Sequence, residues 1–379
     1  MTTTLRVIVD DVLTEVPDGT SRYTLELTRQ LIATAPRGCD VEGIVAAHDD
    51  KDRLVLDRLL PGLAGLHSLP VGSRELRLAW QMGVKLPVGG GLIHAPSLLA
   101  PLFKHKGAGS PEQTAVTVHD VSAWTAPDAV GVVEAAWQKA MVKRARKFAD
   151  AIVVPTHAVA EQLDEVAKLG DRIRVIGGAP SDTLRLPEDA DARRAALRLP
   201  DRYVATVSSL DPRRGLRELI TAMAHPLMNG LPLVVVGPQE FRGDHVATVA
   251  MEAGLPEGRV RTLGSLGDAD LAVVLSRADV FAYPNLTSGF GLPVVEAMRF
   301  GTPVVHSDDP ALTEVAFGAG IAVPRQHAAG YPERLAQALS AVLADDAVRQ
   351  RLRFAGMDRA AAFSWRDSAE RVWALHAEL

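Results

Sequence analysis

The sequence of 379 residues has very little cysteine, few aromatic residues and no long apolar segment. Its single cysteine, Cys39, excludes an internal disulfide framework and favours a reducing compartment. No run approaches the roughly 18 apolar residues of a membrane-spanning helix, and the N-terminus MTTTLRVIVDD lacks the long apolar segment of a signal peptide. We therefore expect a cytoplasmic protein, with work at the inner face of a membrane left open.

Positive charge is also limited, and lysine is missing from the second half. The net charge of −5 gives no general attraction to nucleic acid, so we expect no nucleic-acid partner. No lysine follows Lys168, so a cation that binds a ligand in the second half must be an arginine. The sequence has no cluster of cysteines for a metal, and we expect no metal site.

What is present is an alternation of short apolar runs and amphipathic stretches. The first half contains the strand candidates LRVIVD, VEGIVAA, GLIHAP, TAVTVHD and DAIVVP, with helical patterns over 21–33, 74–84, 130–148 and 156–169. Alternation of this kind predicts an α/β fold with a parallel sheet covered on both faces, whose ligands bind at the carboxyl ends of the strands.

The alternation restarts in the second half after a stretch rich in Gly, Pro, Asp and Ala between residues 176 and 200. Such a stretch is typical of a domain boundary. We therefore predict two Rossmann-like domains, at 1–184 and 185–355, and a final helical segment at 356–379. The length and the 47% apolar content suit a substantial core in each domain.

The most informative stretch is 284–305, PNLTSGFGLPVVEAMRFGTPVV, which begins at the end of the apolar strand DVFAYP. Gly289 and Gly291 mark a tight loop, and Pro293 suits a first helical turn. The N–H groups and the positive dipole end of a helix start bind anions, so this order of elements indicates a site that a diphosphate would fit. Glu296, in the first turn, can hold the two hydroxyls of a ribose or only complement the helix dipole, and its position leaves both open.

Two arginines follow another predicted strand. YVATVSSL runs into DPRRGLRELITAM, which brings Arg213 and Arg214 to the carboxyl end of that strand, just before a helix. Guanidinium groups match phosphate oxygens with paired donors. Neighbouring arginines on a turn are often only exposed, but together with the glycine loop they favour phosphate binding.

In the first half, polar groups follow the strands. His119 ends the strand TAVTV, where a histidine can donate a hydrogen bond to a sugar hydroxyl, and His94 ends another strand, where we expect it to shape the site. After the first strand, DGTSRYTLEL carries Gly19, Arg22 and Tyr23. From the residues alone, this last segment fits an ordinary helix start better than a ligand-binding loop.

Taken together, these motifs resemble glycosyltransferase family 4, retaining enzymes of the GT-B fold. The family pattern is Glu-Gly-Phe-Gly-Leu-Pro-x-x-Glu followed by Ala-Met-x-x-Gly-x-Pro-Val-Val, and every matched position agrees here except the first, which is Ser288. The resemblance implies two Rossmann-like doubly wound domains facing a cleft, with a C-terminal helix that crosses back to the first domain. It covers nearly the full chain.

The resemblance also implies roles for individual residues. His119 would lie beside the donor sugar, Arg213 and Arg214 would contact the diphosphate, and Gly19, Arg22 and Tyr23 would form the acceptor side. The remaining donor-side residues, of which the first two would line the base pocket, are Gly237, Leu266, Gly289, Phe290, Gly291, Leu292 and Glu296.

Ser288 stands where the family has a glutamate that contacts the donor sugar and helps to stabilise charge near the reacting carbon. A serine can hydrogen-bond a sugar hydroxyl but cannot offset a developing positive charge. Either other groups support catalysis, the donor differs from the usual ones, or activity is lost. The last case would give a catalytically inactive nucleotide-sugar-binding partner or regulator. A GT-B epimerase or phosphorylase is a third possibility, whose loop motif is less similar.

The resemblance implies a metal-independent hexosyltransferase that moves a sugar from a nucleoside-diphosphate sugar to an acceptor hydroxyl, in cell-envelope polysaccharide or glycolipid synthesis. The nucleotide sugar would be a co-substrate, with no other cofactor, and the acceptor a sugar, a lipid-linked sugar or a small molecule. The basic segment 137–148, WQKAMVKRARKF, can lie on an anionic membrane or be a solvated helix face, and we keep both interpretations.

Overall fold

A computed structural model describes residues 2–14, 18–104 and 112–379 of the chain. These residues form two compact units, the first made of Met1–Gly178 and Ser364–Leu379 and the second of Ala179–Phe363. The sequence analysis had placed the divisions at 184 and 355.

The first unit is built on a parallel sheet of seven strands in the described residues, in the order β3-β2-β1-β4-β5-β6-β7. The strands are β1 (Thr3–Ile8), β2 (Cys39–Val45), β3 (Gly65–Ser68), β4 (Leu92–Ala95), β5 (Gln113–Thr117), β6 (Ala151–Val154) and β7 (Ile173–Val175). Because β1 lies between β2 and β4, the strand order reverses there, and such a switch point opens a crevice at the carboxyl ends of the strands.

Helices connect most of these strands, as is usual between parallel neighbours. They are α1 (Gly19–Ala33), α2 (Asp50–Leu59), α3 (Ser73–Met82), α4 (Ser122–Thr125), α5 (Pro127–Val130), α6 (Val132–Phe148) and α7 (His157–Ala167). Helix α1 begins with a capping box, in which the Asp18 side chain accepts from the Ser21 N–H and the Ser21 side chain accepts from the Asp18 N–H. This box fixes where α1 starts after β1.

The second unit repeats the arrangement with a parallel sheet of six described strands, in the order β12-β9-β8-β13-β14-β15. These strands are β8 (Val204–Val207), β9 (Leu233–Val236), β12 (Val260–Thr262), β13 (Val280–Tyr283), β14 (Val304–Ser307) and β15 (Ile321–Val323), and a small antiparallel ribbon joins β10 (Glu240–Phe241) to β11 (Asp244–His245). The central strands β8, β9, β13 and β14 are almost wholly buried, as their apolar sequences predict.

Helices cover both faces of the second sheet. They are α8 (Ala190–Ala196), α9 (Leu216–Met223), α10 (Val246–Glu252), α11 (Asp268–Arg277), α12 (Leu292–Arg299), α13 (Pro310–Ala316), α14 (Tyr331–Ala344) and α15 (Asp346–Ala361). One core cluster lies around α9 and α14 and another around α11 and α12. The sheet therefore has an apolar layer on each side.

The last helix, α16 (Trp365–Glu378), belongs to the first unit, where it packs on α1. Ser364 caps its start by accepting from the Asp367 N–H. Trp373 donates from Nε1 to the Leu31 carbonyl at 3.2 Å, and Ser368 donates to the Gly177 carbonyl at 2.8 Å. A buried indole and two hydrogen bonds thus hold the end of the chain on the first unit.

The predicted fold class is confirmed: the chain is α/β, with two parallel sheets of Rossmann type. Short peripheral elements such as β3, β7 and the β10–β11 ribbon escaped prediction because they are only partly buried and carry no apolar run. In the described part of the chain, no helix combines the length and the apolar character that crossing a bilayer requires.

Replacing Trp373 with alanine should destabilise the protein by about 3–5 kcal/mol, because a buried aromatic side chain leaves a cavity. Urea unfolding followed by circular dichroism measures the change. Arg371→Ala, at an exposed position on the same helix, is the matched control and should lower the free energy of unfolding by less than about 0.5 kcal/mol. Equal effects of the two substitutions would show that α16 is not anchored through its indole.

Candidate active site

The two arginines predicted to bind phosphate lie in a short turn at the carboxyl end of β8. The turn, Pro212–Arg214, is a single 3₁₀ turn, and the Asp211 side chain caps it by accepting from the Arg213 N–H. Gly215 follows with a φ of 63°. A side chain at Gly215 would place its Cβ 2.2 Å from the Pro284 carbonyl oxygen, so only glycine lets the turn lie against the loop after β13.

This arginine turn and the loop between β13 and α12 are bonded to each other. The Leu286 N–H donates to the Arg213 carbonyl at 2.8 Å. Arg214 reaches the Tyr283 hydroxyl with Nη1 at 3.5 Å, and a Cβ on Gly291 would lie 3.6 Å from the Tyr283 ring. Tyr283 therefore stands between the Arg214 guanidinium and the residue that starts α12.

Helix α12 begins as the sequence predicted. Gly291 takes the left-handed conformation at its N-cap, with a φ of 84°, and Pro293 occupies its first turn. Glu296 is 2% exposed, and its charge raises the pKa of Tyr283, which burial raises still more. Arg214, Gly291 and Glu296 thus surround one tyrosine, and the arrangement places a cation and a helix N-terminus together, as a phosphate site needs.

The two arginines differ in their surroundings. Arg213 forms an ion pair with Asp211, with Nη2–Oδ2 at 2.6 Å and Nε–Oδ1 at 3.1 Å. Burial acts to raise the pKa of Asp211, but hydrogen bonds from Arg213 outweigh it, and the net pKa lies below its usual value. Among the described residues, Arg214 has the Tyr283 hydroxyl as its hydrogen-bond partner and no carboxylate at ion-pair distance. Arg214 is therefore the cation better able to bind an added anion.

The glycine loop rests on several side chains that the sequence analysis did not select. The Tyr331 hydroxyl donates to the Pro284 carbonyl at 3.1 Å, Ser307 donates to the Asn285 carbonyl, and Arg325 donates to the Leu286 carbonyl. Phe290 packs edge to face on Phe363, with ring centroids 5.4 Å apart. The half-buried residues Thr287, Ser288 and Gly289 form the remainder of the loop, between these supported positions.

Of the residues proposed for the base pocket, Gly237 follows β9 and Leu266 lies after β12. Gly237 has a φ of 141°, and its N–H donates to the Gly264 carbonyl at 2.9 Å. A Cβ there would come within 2.1 Å of the Ser208 carbonyl oxygen, so glycine is required. Leu266 is half-buried and packs on the core beside α11. Backbone groups thus dominate at the end of β9, and the assignment of the base pocket stays a prediction.

In the first unit, Tyr23, one of the predicted acceptor-side residues, contacts His119. Gly19 and Arg22 lie in the first turn of α1, and the ring of the adjacent, buried Tyr23 meets the His119 ring edge to face at 4.7 Å. His119 Nε2 lies 2.7 Å from the Pro96 carbonyl, which can only accept, so Nε2 carries the proton. Burial lowers the pKa of His119 and favours the neutral ring. Its Nδ1 is then an acceptor, which corrects the expectation that this histidine donates.

Polar residues at the same edge of the sheet were missed by the sequence analysis. Asp10 and Asp11 follow β1, and Ser97 follows β4. His48, after β2, bonds Asp10 through Nε2 at 2.8 Å, and Ser97 donates to Asp11 at 2.6 Å. The acidic pair comes directly after the apolar run of β1, so its position at a strand end could have been read from the sequence.

The expectation for His94 was wrong. The residue is fully buried in β4, and its ring meets the His376 ring of α16 edge to face at 5.7 Å. Burial lowers the pKa of both rings. His94 therefore belongs to the core under the last helix and does not line the site.

The described ranges contain no group of three or more His, Cys, Asp or Glu side chains arranged to hold a metal ion.

Comparison with known families assigns both halves of the chain. Residues 17–179 match the family described as Glycosyltransferase Family 4, and residues 188–359 match the family described as Glycosyl transferases group 1. The two matches together cover most of the chain.

Curated relatives match over shorter regions. The O-antigen chain mannosyltransferase B of Escherichia coli is 33% identical over 168 residues, which are 43% of this chain and 42% of that protein. A phosphatidyl-myo-inositol mannosyltransferase of Mycobacterium leprae is 35% identical over 167 residues, again 43% and 42%. The aligned regions thus span less than half of the length of these relatives.

Solved structures match over the whole chain. The sucrose-phosphate synthase of Thermosynechococcus elongatus superposes with a TM-score of 0.75 at 23% identity, covering 99% of this chain and 98% of that one. Anabaena HepE, solved in complex with UDP and glucose, gives a TM-score of 0.73 at 18% identity, with full coverage of both chains. At these identities the likeness concerns the fold. Together with the two family matches, it shows that this chain belongs to the family 4 type of glycosyltransferases and has the GT-B fold.

Proposed function

We propose that this protein is a retaining glycosyltransferase that moves a hexose from a nucleoside-diphosphate sugar to an acceptor hydroxyl, without a metal ion. The observation that carries the proposal is the arrangement around Tyr283, where Arg214, the N-terminus of α12 and Glu296 come together at the carboxyl ends of β8 and β13. A diphosphate and the ribose next to it match this set of groups.

The arginine turn and α12 would stabilise the leaving group. In the transfer, the bond between the sugar carbon and the diphosphate oxygen breaks, a bond to the acceptor oxygen forms, and the nucleoside diphosphate and a proton are released. Negative charge grows on the diphosphate as its bond breaks. A guanidinium and oriented N–H groups aimed at that charge stabilise the transition state more than the ground state. A guanidinium and a helix N-terminus together can offset this charge without a metal ion.

Glu296 would hold the ribose, and Gly237 and Leu266 would lie beside the base. Burial of Glu296 next to Tyr283 suits a carboxylate that accepts hydrogen bonds from two neighbouring hydroxyls. The nucleotide sugar is then a co-substrate, and no other cofactor is proposed. That the solved complexes of Anabaena HepE contain UDP or UDP-glucose supports a donor of this class.

The relatives support a mannosyl donor and an acceptor in a cell-surface polysaccharide or glycolipid. Both curated relatives described above are named as mannosyltransferases, one for O-antigen chains and one for phosphatidyl-myo-inositol. We propose the same class of reaction here.

A lipid-linked acceptor would be served by a membrane-docking surface formed by α3 and α6 in the first unit. The two helices lie side by side: the Arg77 guanidinium stacks 3.7 Å from the Trp137 ring centroid and pairs with Glu134 at 2.6 Å. The surface exposes large apolar side chains and, on α6, a row of cations. Its exposed residues are Leu78, Met82, Val84, Lys85, Val132, Val133, Lys139, Lys143, Arg146 and Lys147.

This surface differs from the basic segment of the sequence analysis in two respects. Arg144 is half-buried and donates to the Leu102 carbonyl, and Met141 is buried, so neither is available to lipid. Helix α3 instead adds an apolar component, with Met82 78% exposed. Apolar contact plus cations supplies the two signals that stable binding to an anionic bilayer needs.

The alternative is a nucleotide-sugar-binding protein without activity, which Ser288 favours. Incubation with a panel of nucleoside-diphosphate sugars, including GDP-mannose and UDP-glucose, separates the two functions. Transfer or slow hydrolysis of a donor supports the enzyme, and tight binding with no turnover supports the inactive protein.

Replacing both Arg213 and Arg214 with alanine should lower kcat by about a hundredfold to a thousandfold, because the charge of the leaving diphosphate loses its donors. Arg214→Ala alone should account for most of the loss, since Arg213 is paired with Asp211. Release of nucleoside diphosphate gives the rate. The control is Arg217→Ala, on α9, whose exposed side chain pairs with Asp244. Parental activity in the double variant would remove the diphosphate assignment.

Ser288→Glu tests whether the serine is an adaptation to the donor. We expect turnover to fall at least tenfold. The arginine turn, the start of α12 and Glu296 are all present, which indicates a working site, and a larger, charged side chain at position 288 would crowd the donor in it. Ser288→Ala is the matched control and should lose less. Turnover at or above the parental level in Ser288→Glu would instead favour the inactive protein as the natural state.

Lys139, Lys143 and Lys147 should together bind anionic lipid. Changing all three to glutamate should weaken co-sedimentation with vesicles of phosphatidylcholine and phosphatidylglycerol at least tenfold, since each cation near such a surface contributes about 1 kcal/mol. Binding to pure phosphatidylcholine should be weak for every protein. The control carries the same charge change on α2, at the exposed Lys51, Arg53 and Arg58. Equal losses in both triple variants would mean that the effect is one of net charge and that this surface does not dock.

A further inference from the structure

Asp11 is a carboxylate at the carboxyl edge of the first sheet whose position the family resemblance does not explain. It lies in the short 3₁₀ turn Asp10–Leu13, directly after β1. Two residues follow the neighbouring strand β4. Ser97 bonds to Asp11 in this turn, and the Pro96 carbonyl accepts from His119. Asp11 and His119 therefore share the segment after β4 as a common support.

Ser97 fixes the direction of the Asp11 carboxylate. The Ser97 oxygen accepts from the Leu99 N–H at 3.2 Å, and its hydroxyl donates to Asp11 Oδ2 at 2.6 Å. A serine hydroxyl has one proton, so this proton is committed to Asp11. Within the described part of the chain, Ser97 is the one hydrogen-bond partner that Asp11 has, which leaves Oδ1 able to accept from a ligand.

The charges around Asp11 are mostly negative. Asp10 lies on the same turn, Asp18 caps α1, and His119 lies after β5. Burial raises the pKa of Asp11, Asp10 and Asp18 add to the increase, and the Ser97 hydrogen bond and His119 oppose it. Asp10 is already engaged, because its Oδ1 accepts from the Ala46 N–H at 2.8 Å and bonds His48. Asp11 is the carboxylate of this turn that remains available.

We propose that Asp11, oriented by Ser97, binds a hydroxyl group of the acceptor, and that the part of the acceptor bound beside it is an uncharged polyol and not a phosphate ester. This inference rests on the proposed function, because it assigns an acceptor group to the unit that carries His119. Asp11 Oδ1 accepts the hydrogen bond of the hydroxyl, and the neutral His119 offers Nδ1 as a second acceptor nearby.

The selection against phosphate follows from charge. A phosphate group placed at Asp11 would be repelled by Asp10, Asp11 and Asp18. The 3₁₀ turn carries no lysine, the imidazole of His119 is neutral, and Arg22 in the first turn of α1 is a single cation against these three carboxylates. A sugar hydroxyl, in contrast, donates to a carboxylate in a charge-assisted hydrogen bond. This edge of the sheet therefore favours an acceptor substrate that presents hydroxyl groups to it.

The test uses the full-length protein, a labelled nucleoside-diphosphate sugar, and two acceptor probes, methyl α-mannoside and mannose 6-phosphate. Asp11→Asn should raise the KM for methyl α-mannoside about tenfold to a hundredfold, which is the worth of one charged hydrogen bond. The KM for the donor and the slow hydrolysis of the donor without acceptor should stay unchanged. The parental protein should use mannose 6-phosphate at least tenfold less efficiently. Asp57→Asn, an exposed position on α2, is the control and should change nothing.

The pH profile separates binding through Asp11 from a structural role. An ionised carboxylate accepts the hydroxyl, so kcat/KM for methyl α-mannoside should fall as the pH drops through the raised pKa of Asp11. This acid limb should disappear in Asp11→Asn. In Ser97→Ala it should move to higher pH, because the lost hydrogen bond had lowered the pKa of Asp11. A merely structural role would leave the limb in place.

Two results would overturn the inference while the proposed function stands. One is an unchanged KM for methyl α-mannoside in a folded Asp11→Asn protein that still hydrolyses the donor. The other is a preference of the parental protein for mannose 6-phosphate. If the parental protein releases no nucleoside diphosphate from any donor, the proposed function itself fails, and this inference fails with it.

Discussion

The contact between the arginine turn and the glycine loop is the constraint on which the second unit's site depends. Gly215 lies directly against the Pro284 carbonyl, and the Leu286 N–H bonds the Arg213 carbonyl. Two strands that are neighbours in the sheet, β8 and β13, thus deliver two loops that are fixed to each other by backbone groups. A rigid pair of loops allows a guanidinium and a helix N-terminus to be held ready for a charge before that charge develops.

The first unit also places polar side chains at the carboxyl edge of its sheet, but their chemistry differs. Asp11, Ser97 and His119 lie in the segments that follow its strands β1, β4 and β5, and these three side chains accept or donate hydrogen bonds and carry no positive charge. The second unit ends its strands in arginines and N–H groups. This difference is consistent with the proposed transfer of a sugar from a diphosphate to a hydroxyl group.

Much of the fold could be predicted, because buried parallel strands appear in the sequence as apolar runs and the helices that cover them appear as amphipathic patterns. The start of α12 was also predictable, because glycine suits the left-handed conformation of the N-cap at Gly291 and proline suits the first turn at Pro293. Tyr283 was not, because a buried aromatic at the end of a strand looks like any core residue until its hydroxyl is seen beside Arg214.

The errors come from contacts between residues that are distant in sequence. The burial of His94 depends on α16, which is distant in sequence, so strand position alone could not reveal it. The proton on His119 Nε2 is fixed by a carbonyl from another loop, a contact that no motif encodes. The place of Asp11 after the apolar run of β1 is visible in the sequence, but its hydrogen bond to Ser97, which is distant in sequence, is not.

If the arginine turn and the start of α12 bind the diphosphate, as we propose, the diphosphate should provide more of the donor's binding energy than the nucleoside does. Calorimetric titration with UDP and uridine, and with GDP and guanosine, measures this directly. In at least one series the diphosphate should bind about a hundredfold more tightly than its nucleoside, since two charge-assisted contacts contribute about 3 kcal/mol or more. Equal affinities within each series, or no binding of either diphosphate, would contradict the account.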